Sequence, residues 1–384
     1  MSGMIIRFLY KNLLKPFFFL LDPEDVHDKM TATGRLLGSN FLTRGLTSTL
    51  FSYSNPALEQ EILGIKFANP VGLSAGFDKN ALLTNILPSV GFGFAEVGTV
   101  TGETCAGNPR PRLWRLRKSK GLVVYYGLKN DGSEAISERL KGQKFAIPII
   151  TSIGKTNNEA TAETKAGIAD YVKAYKKFTG IGDIFDINIS CPNTFGGEPF
   201  SDPEKLNKLL REIGKVSIPI STKSDRGSSI AKRIGTKKPV FIKMPADLTN
   251  SQLDGILKVA GKHKVAGFIC TNLTKDRKNK KIIDGNIPEQ GGISGKAVED
   301  LSNNLIQKIY QKTKGKYVII GCGGIFSAED AYKKIKLGAS LVQLITGMIF
   351  EGPQVIGEIN RGLAKLLKKD GYKNISEAIG KGNI

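Results

Sequence analysis

The stretch "IFDINISCPNTFGG", Ile184 to Gly197, runs from alternating apolar residues straight into Ser-Cys-Pro-Asn and then a glycine pair. A short apolar run bounded by turn residues reads as a buried strand, and its polar end reads as a tip that carries chemistry. The theme recurs on both sides. "NPVGLSAG", "FAEVGTVT" and "IPIITSIG" precede it, and "PVFIKMP", "GFICTN", "YVIIGCGG" and "LVQLITG" follow, each run leading into a helical pattern. Continuous apolar strands alternating with helices imply a parallel sheet covered on both faces. Eight in succession predict an α/β fold of the (β/α)8 TIM-barrel type. Helix starts fall between them, at Ser201 with Glu204 before "KLNKLLREI" and at Ser327 with Asp330 before "AYKKIKLGA".

In such a barrel the site is built at the C-terminal ends of the strands. The tips supply Lys79, Thr99, Ser152, Asn188 with Cys191 and Asn193, Lys243, Asn272 and Thr346. The last two loops, "GCGGI" (Gly321 to Ile325) and "ITG" (Ile345 to Gly347), offer the backbone N–H groups of a barrel phosphate site. Glycine pairs are also ordinary turn punctuation, so this signal needs the others beside it.

With 384 residues the chain has room for one large barrel domain and an extension. The expected division is a helical extension over 1–50 and the barrel over 51–384. A formal charge of +21 favours anionic partners: nucleic acid, membrane headgroups, or phosphorylated and carboxylate ligands. A solvated lysine-rich surface accounts for it equally well. The basic loops "KDRKNKK" and "GTKKP" lack interleaved aromatics, so no nucleic-acid partner is expected. Cys105, Cys191, Cys270 and Cys322 form no CxxC pair, and His27 and His263 are the only histidines. Neither a metal site nor a Ser-His-Asp triad has the material it needs.

The N-terminal "MIIRFLYKNLLKPFFFLL" is apolar but carries Arg7, Lys11 and Lys15, four residues apart. On a helix they form one side, with Ile5, Ile6, Leu9, Leu13 and Leu14 over much of the rest. That pattern predicts an interfacial helix whose cations meet anionic lipid, not a transmembrane span or a cleaved leader. A helix docked on its own domain is the competing reading. A second helix opens at "LDPEDVHDKM", with Asp22 as N-cap, Pro23 in the first turn and Asp25 at the capping-box position.

Taken together, "NPVGLSAGFDKN", "GFGFAEVGTVT", "PRPRLWRL", "DINISCPN", "FIKMPAD", "CTNLTKD", "GGISG", "VIIGCGGI" and "GASLVQLITG" closely resemble, in order and spacing, the dihydroorotate dehydrogenase family of flavoproteins. The resemblance covers nearly the whole chain, and the N-terminal extension is similar to that of the membrane-associated, quinone-using class 2. It implies FMN, with Ala75, Gly76, Phe77, Asp78, Lys79, Thr99, Ser152, Asn188, Lys243, Thr271, Gly295, Gly324, Ile345 and Thr346 as cofactor-binding positions. Lys79, Asn188, Asn193, Asn272 and Leu273 match the substrate side. His27 and Arg115 match the inner end of a quinone tunnel. In the implied reaction a base at Cys191 takes the C5 proton of dihydroorotate while C6 passes a hydride to the flavin. The implied setting is the cytoplasmic face of the cell membrane, held peripherally.

Three departures qualify the match. Class 2 enzymes usually carry serine where this chain has Cys191; cysteine there is a class 1 feature, and a thiol ionises far more readily than an alcohol. The following "TFGGEPF" lacks the leucine-arginine common in class 2. The family's orotate-binding asparagine, in a pattern like "NRMGFNN", corresponds to Val124 of "GLVVYYGLKNDG", with Tyr125 at the usual arginine. Tyr126, Lys129 and Asn130 are candidates to compensate. A different dihydropyrimidine or cyclic acid as substrate is the second reading, and a nonredox basic scaffold the third.

Overall fold

The computed structural model describes residues 2–216 and 238–383; the start of the basic loop "GTKKP", Gly235 to Lys237, lies outside the described residues. Eight parallel strands close a barrel: β1 (Val71–Leu73), β2 (Phe94–Val100), β3 (Ile149–Ile153), β4 (Ile184–Asn188), β5 (Val240–Met244), β6 (Gly267–Cys270), β7 (Val318–Cys322) and β8 (Leu341–Leu344). Each pairs with its sequence neighbour, and β8 closes on β1 through Val342 opposite Val71 and Leu344 opposite Leu73. The predicted eight runs are the eight strands.

Side chains alternate across each strand, so every second residue enters the barrel. Phe94, Ile150, Ile184, Phe241, Ile269, Ile320 and Leu341 form a buried apolar layer inside it. A hairpin of Gln60–Ile62 and Ile65–Phe67 joins that layer through Phe67, whose ring meets Phe94 edge-on at 5.6 Å. Gly72 is required here, because a Cβ would come within 2.3 Å of the Phe94 ring. Each buried side chain of this layer contributes about 1.5–3 kcal/mol. Two residues further along the strands the inward positions turn polar: Glu96, Ser152, Asp186, Lys243, Cys322 and Gln343, on the side of the apolar layer toward the C-terminal ends of the strands. The outward positions pack on helices such as Pro203–Gly214, whose Leu206, Leu209, Leu210 and Ile213 are buried.

One predicted cap moves. Asp202, not Ser201, caps Pro203–Gly214 by accepting from the Lys205 N–H at 2.9 Å, because Pro203 suits the first helical position and sets the start one residue later. Ser201 instead donates to the Glu198 carbonyl. Ser327 caps Ala328–Lys336 as expected, accepting from the Asp330 N–H.

The N-terminal segment is helical throughout: α1 (Ser2–Leu9) continues through Tyr10–Leu14 and Lys15–Phe18, followed by α2 (Pro23–Ser39) and α3 (Phe41–Phe51). Asp22 caps α2, accepting from Glu24 and Asp25 N–H groups. The expectation that Arg7, Lys11 and Lys15 face lipid is corrected. Arg7 and Lys11 pair with the buried Glu351, Arg7 also with Glu358, and Lys15 lies over the Phe350 ring at 5.3 Å. The cationic side is thus docked on the barrel, where Glu351 and Glu358 pair with it, and the apolar side faces outward. Ile5, Phe8, Leu13, Phe17 and Leu20 are exposed there, Leu20 to 79%.

After β2 the chain forms a hairpin, Leu113–Leu116 with Gly121–Val124, which Gly292–Ile293 extends into a three-stranded antiparallel sheet. This sheet brings Val124 and Tyr126 to the barrel mouth, beside the tips of the strands.

Candidate active site

A cavity of about 490 Å3 opens at the C-terminal ends of the strands and extends beneath α2. It is within the range of small-molecule and cofactor sites. Every site residue expected from the sequence lines it except Asp78 and Ser152. Asp78 is turned into its own loop, accepting from the Leu82 and Leu83 N–H groups. Ser152 sits behind Thr99, 2.9 Å from its hydroxyl.

The floor is a connected polar layer. Asn188 Nδ2 donates to Thr99 Oγ1 at 2.8 Å, Thr99 meets Ser152, and Ser152 Oγ donates to Asp186 Oδ2 at 2.8 Å. Across the barrel, Lys243 Nζ donates to Glu96 Oε2 at 3.1 Å and to Ser74 Oγ at 3.2 Å. The Ala75 N–H also donates to Glu96. Glu96 and Asp186 are fully buried and adjacent, and neither Glu96 Oε1 nor Asp186 Oδ1 has a hydrogen-bond partner among the described residues. Burial and the Glu96 charge push the Asp186 carboxyl well above the usual carboxylate range. Against the effect of its own burial, Glu96 stays below that range through Lys243. Asp186 is therefore the more weakly acidic of the two carboxyls, while, against the effect of burial, the ion pair with Glu96 holds the Lys243 ammonium above its usual pKa. Charged residues inside otherwise apolar strands, as in "FAEVG" and "IFDIN", were the sequence signal for Glu96 and Asp186, two members of this layer that the reading of strand tips missed.

On one wall stand Cys191, Asn188, Asn193 and Asn272. Asn272 Nδ2 donates to Ser190 O at 2.8 Å and reaches Asn188 Oδ1 at 3.4 Å, so the amides are set by each other. Asn193 Nδ2 donates to the Val124 carbonyl at 2.8 Å, joining the Cys191 loop to the hairpin. Burial pushes the Cys191 thiol up to about 11; the Asn193 N–H and Lys155 oppose this, and Glu198 adds to it. Burial likewise raises Glu198 to about 7. Lys155 Nζ donates to the Phe195 carbonyl at 2.7 Å and holds the same loop.

At the opposite end, Gly295, Gly323 and Gly324 have φ of +82°, +116° and +75°. A Cβ would lie 2.2 Å from Lys120 O at Gly295 and 2.4 Å from Glu299 Cβ at Gly324, so only glycine fits this cradle. Ser294 and Thr346 hydroxyls meet at 2.8 Å beside it.

Under α2, His27 Nε2 lies 2.8 Å from the Phe77 carbonyl and Nδ1 3.1 Å from Asp28 Oδ1. Burial and the nearby Lys79 push the imidazole below the usual histidine value. Burial also lowers the Lys79 ammonium to about 7; its Nζ is 3.4 Å from His27 Nε2 and 4.0 Å from the Tyr126 ring centre. Arg115 lies over the Phe19 ring at 4.7 Å and donates to the Leu21 carbonyl at 2.8 Å. Glu24, buried in α2, binds Arg112 and Lys129 and ties the helix to the hairpin.

A family model described as dihydroorotate dehydrogenase matches residues 57–367. A protein of Christiangramia forsetii named dihydroorotate dehydrogenase (quinone) is 40% identical over 369 residues, covering 94% of this chain and 99% of that protein. One of the same name from Gloeobacter violaceus is 37% identical over 373 residues, covering 97% and 98%. The crystal structure of ligand-free DHODH from Eimeria tenella superposes with a TM-score of 0.81 at 30% identity, over 94% of this chain and 100% of that one.

Proposed function

The chain belongs to the dihydroorotate dehydrogenase family, in its quinone-dependent form, and from that premise we propose that Cys191 is the general base acting on dihydroorotate. The enzyme is a flavin-dependent oxidoreductase of pyrimidine biosynthesis that converts dihydroorotate to orotate with a quinone as acceptor. The observation that carries the base assignment is that a thiol lines the same cavity as three asparagines and Lys79.

The residues divide the work by their chemistry. Asparagine presents both a donor and an acceptor, which suits a ring of alternating N–H and C=O groups. Asn188, Asn193 and Asn272 would orient that ring with Leu273 against it, and Lys79 would answer its carboxylate. Cys191, as thiolate, would take the C5 proton.

The cofactor assigned is FMN. The floor and the glycine cradle fit it: Gln343 offers at the floor an amide with no hydrogen-bond partner among the described residues, and the cradle admits nothing larger than glycine, as close backbone approach to a phosphate would need. Ala75, Gly76, Phe77, Thr99, Thr271 and Lys243 would lie along the ring system, with Asp78 shaping the loop and Ser152 steadying Thr99. Gly295, Gly324, Ile345 and Thr346 would hold the phosphate and its chain. The bound flavin would supply hydride acceptance and later release of electrons to the quinone. Lys243 would place a fixed positive charge where reduction adds negative charge.

On the acceptor side His27 and Arg115 line the cavity together with the apolar Phe18, Phe19, Val26 and Met30 of the N-terminal segment, and would bind the quinone. The enzyme is a peripheral membrane protein, and among the described residues no helix is long and apolar enough to cross a membrane. The exposed apolar side of α1 is assigned to a lipid surface, anionic in keeping with the charge of +21, at the cytoplasmic face of the cell membrane.

The test is Cys191→Ala, followed by anaerobic flavin bleaching. Flavin content should stay full while reduction by dihydroorotate slows about a hundredfold or more. Reduction within a few-fold of the unsubstituted enzyme removes Cys191 as the base.

A further inference from the structure

Two side chains among the described residues line the cavity with buried polar atoms that have no hydrogen-bond partner: Gln343 through its amide and Tyr126 through Oη. A buried hydroxyl left unpaired costs free energy, so such an atom marks where a polar atom of another molecule sits. Gln343 belongs to the floor already described. Tyr126 belongs to no group so far assigned, and it stands next to Lys79.

The hairpin offers no other candidate for this position. Asn130 is consumed: it donates to Thr101 Oγ1 and the Leu128 carbonyl and accepts from the Thr101 and Gly132 N–H groups. Lys129 Nζ is held by Glu24 at 3.2 Å. Val124 presents an apolar side chain to the cavity, its carbonyl taken by Asn193, and Tyr125 does not line the cavity.

The surroundings fix both the ring and the charge it favours. Lys79 Nζ lies 4.0 Å and the Arg112 guanidinium 5.4 Å from the Tyr126 ring centre, and the His27 ring packs at 6.4 Å. Of the anions nearby, Glu24 is shared by Arg110, Arg112 and Lys129, and Asp28 pairs with His27 and Arg110. Lys79 is left without a carboxylate within ion-pair distance among the described residues. Burial holds the phenol well above its usual pKa, so it is a neutral O–H donor at all working pH. A neutral donor beside an ammonium suits an anionic oxygen better than a neutral carbonyl.

We propose that Tyr126 Oη donates a hydrogen bond to the carboxylate of the bound cyclic acid, beside Lys79, and so determines specificity for a carboxylated ring. This rests on the reading of the cavity as the dihydroorotate site. It explains how a hairpin with valine at position 124 holds the ligand: the donor comes from the turn two residues later.

The experiment titrates Tyr126→Phe and the unsubstituted holoenzyme with orotate, following the flavin spectrum. The variant keeps the ring under Lys79 and removes only the hydroxyl. Orotate Kd should rise about tenfold or more, with flavin content and quinone KM unchanged. 6-Methyluracil, with a methyl in place of the carboxylate, should bind both proteins equally. Tyr126→Leu, which also removes the cation–π contact, should weaken orotate further. An unchanged Kd in Tyr126→Phe overturns the proposal, as does a change confined to quinone KM, which would put the hydroxyl on the acceptor side. If the unsubstituted holoenzyme shows no spectral response to millimolar orotate, the dihydroorotate reading itself falls, and the carboxylate contact with it.

Discussion

At the level of single residues, two pKa values set an unusual pH dependence. As the proposed base, Cys191 would act only when ionised, and burial holds its thiol up to about 11. As the proposed partner of the carboxylate, Lys79 would bind only when protonated, and burial lowers it to about 7. Between these values raising the pH gains thiolate and loses ammonium in equal proportion. The second-order rate of flavin reduction by dihydroorotate should therefore be level from about pH 7 to about 11 and fall on either side. Its limiting rate at saturating substrate should still rise about tenfold per unit. Stopped-flow reduction across pH checks both; a limiting rate independent of pH would remove the thiolate. The raised Asp186 carboxyl beside Glu96 carries its own prediction. Infrared spectra should show a protonated carboxylic acid that shifts in D2O and disappears in Asp186→Asn. Cys191, Lys79 and the asparagines were legible as strand tips. That the thiol is raised, and that Tyr126 Oη has no hydrogen-bond partner among the described residues, depends on which atoms surround them after folding.

At the level of elements, one carboxylate gathers the cations that tie α1 and its continuation to the barrel. Glu351 is itself buried and receives Arg7, Lys11 and Lys120. Burial alone would raise its pKa, but Lys11 and Lys120 hold it below the usual carboxylate value. The tether is thus complete above the ordinary glutamate range and is lost as pH falls through the lowered value. Glu351→Gln should loosen α1 at any pH. Quinone KM should rise several-fold and α1 should become sensitive to protease, while anaerobic reduction by dihydroorotate stays unchanged. Intact quinone kinetics together with a protected α1 would show that the apolar contacts of Phe18 and Phe19 suffice. The four-residue spacing of Arg7, Lys11 and Lys15 gave their common side correctly. It could not say which way that side faces, because Glu351 lies more than 330 positions away in the chain.

At the level of the whole molecule, the outward apolar side of α1 and the exposed Leu36, Phe41, Leu42 and Leu46 of α2 and α3 make one end of the protein greasy. Phe17→Asp with Leu20→Asp should abolish sedimentation with phosphatidylglycerol vesicles while leaving flavin reduction intact. Sedimentation that persists and vanishes only in high salt would shift the lipid contact to the basic surface. The barrel itself was determined by sequence: eight apolar runs alternating with helices admit few topologies, and strand alternation fixes which residues enter. The polar strand ends located the site for the same reason. What only the tertiary structure decided are pairings between remote segments: Glu351 with α1, Glu24 with the hairpin, Glu96 with Asp186, and the placing of Tyr126 over Lys79. Local propensity and periodicity are short-range, whereas the orientation of a charged face and the pKa of a buried group are set by whatever the fold brings against them.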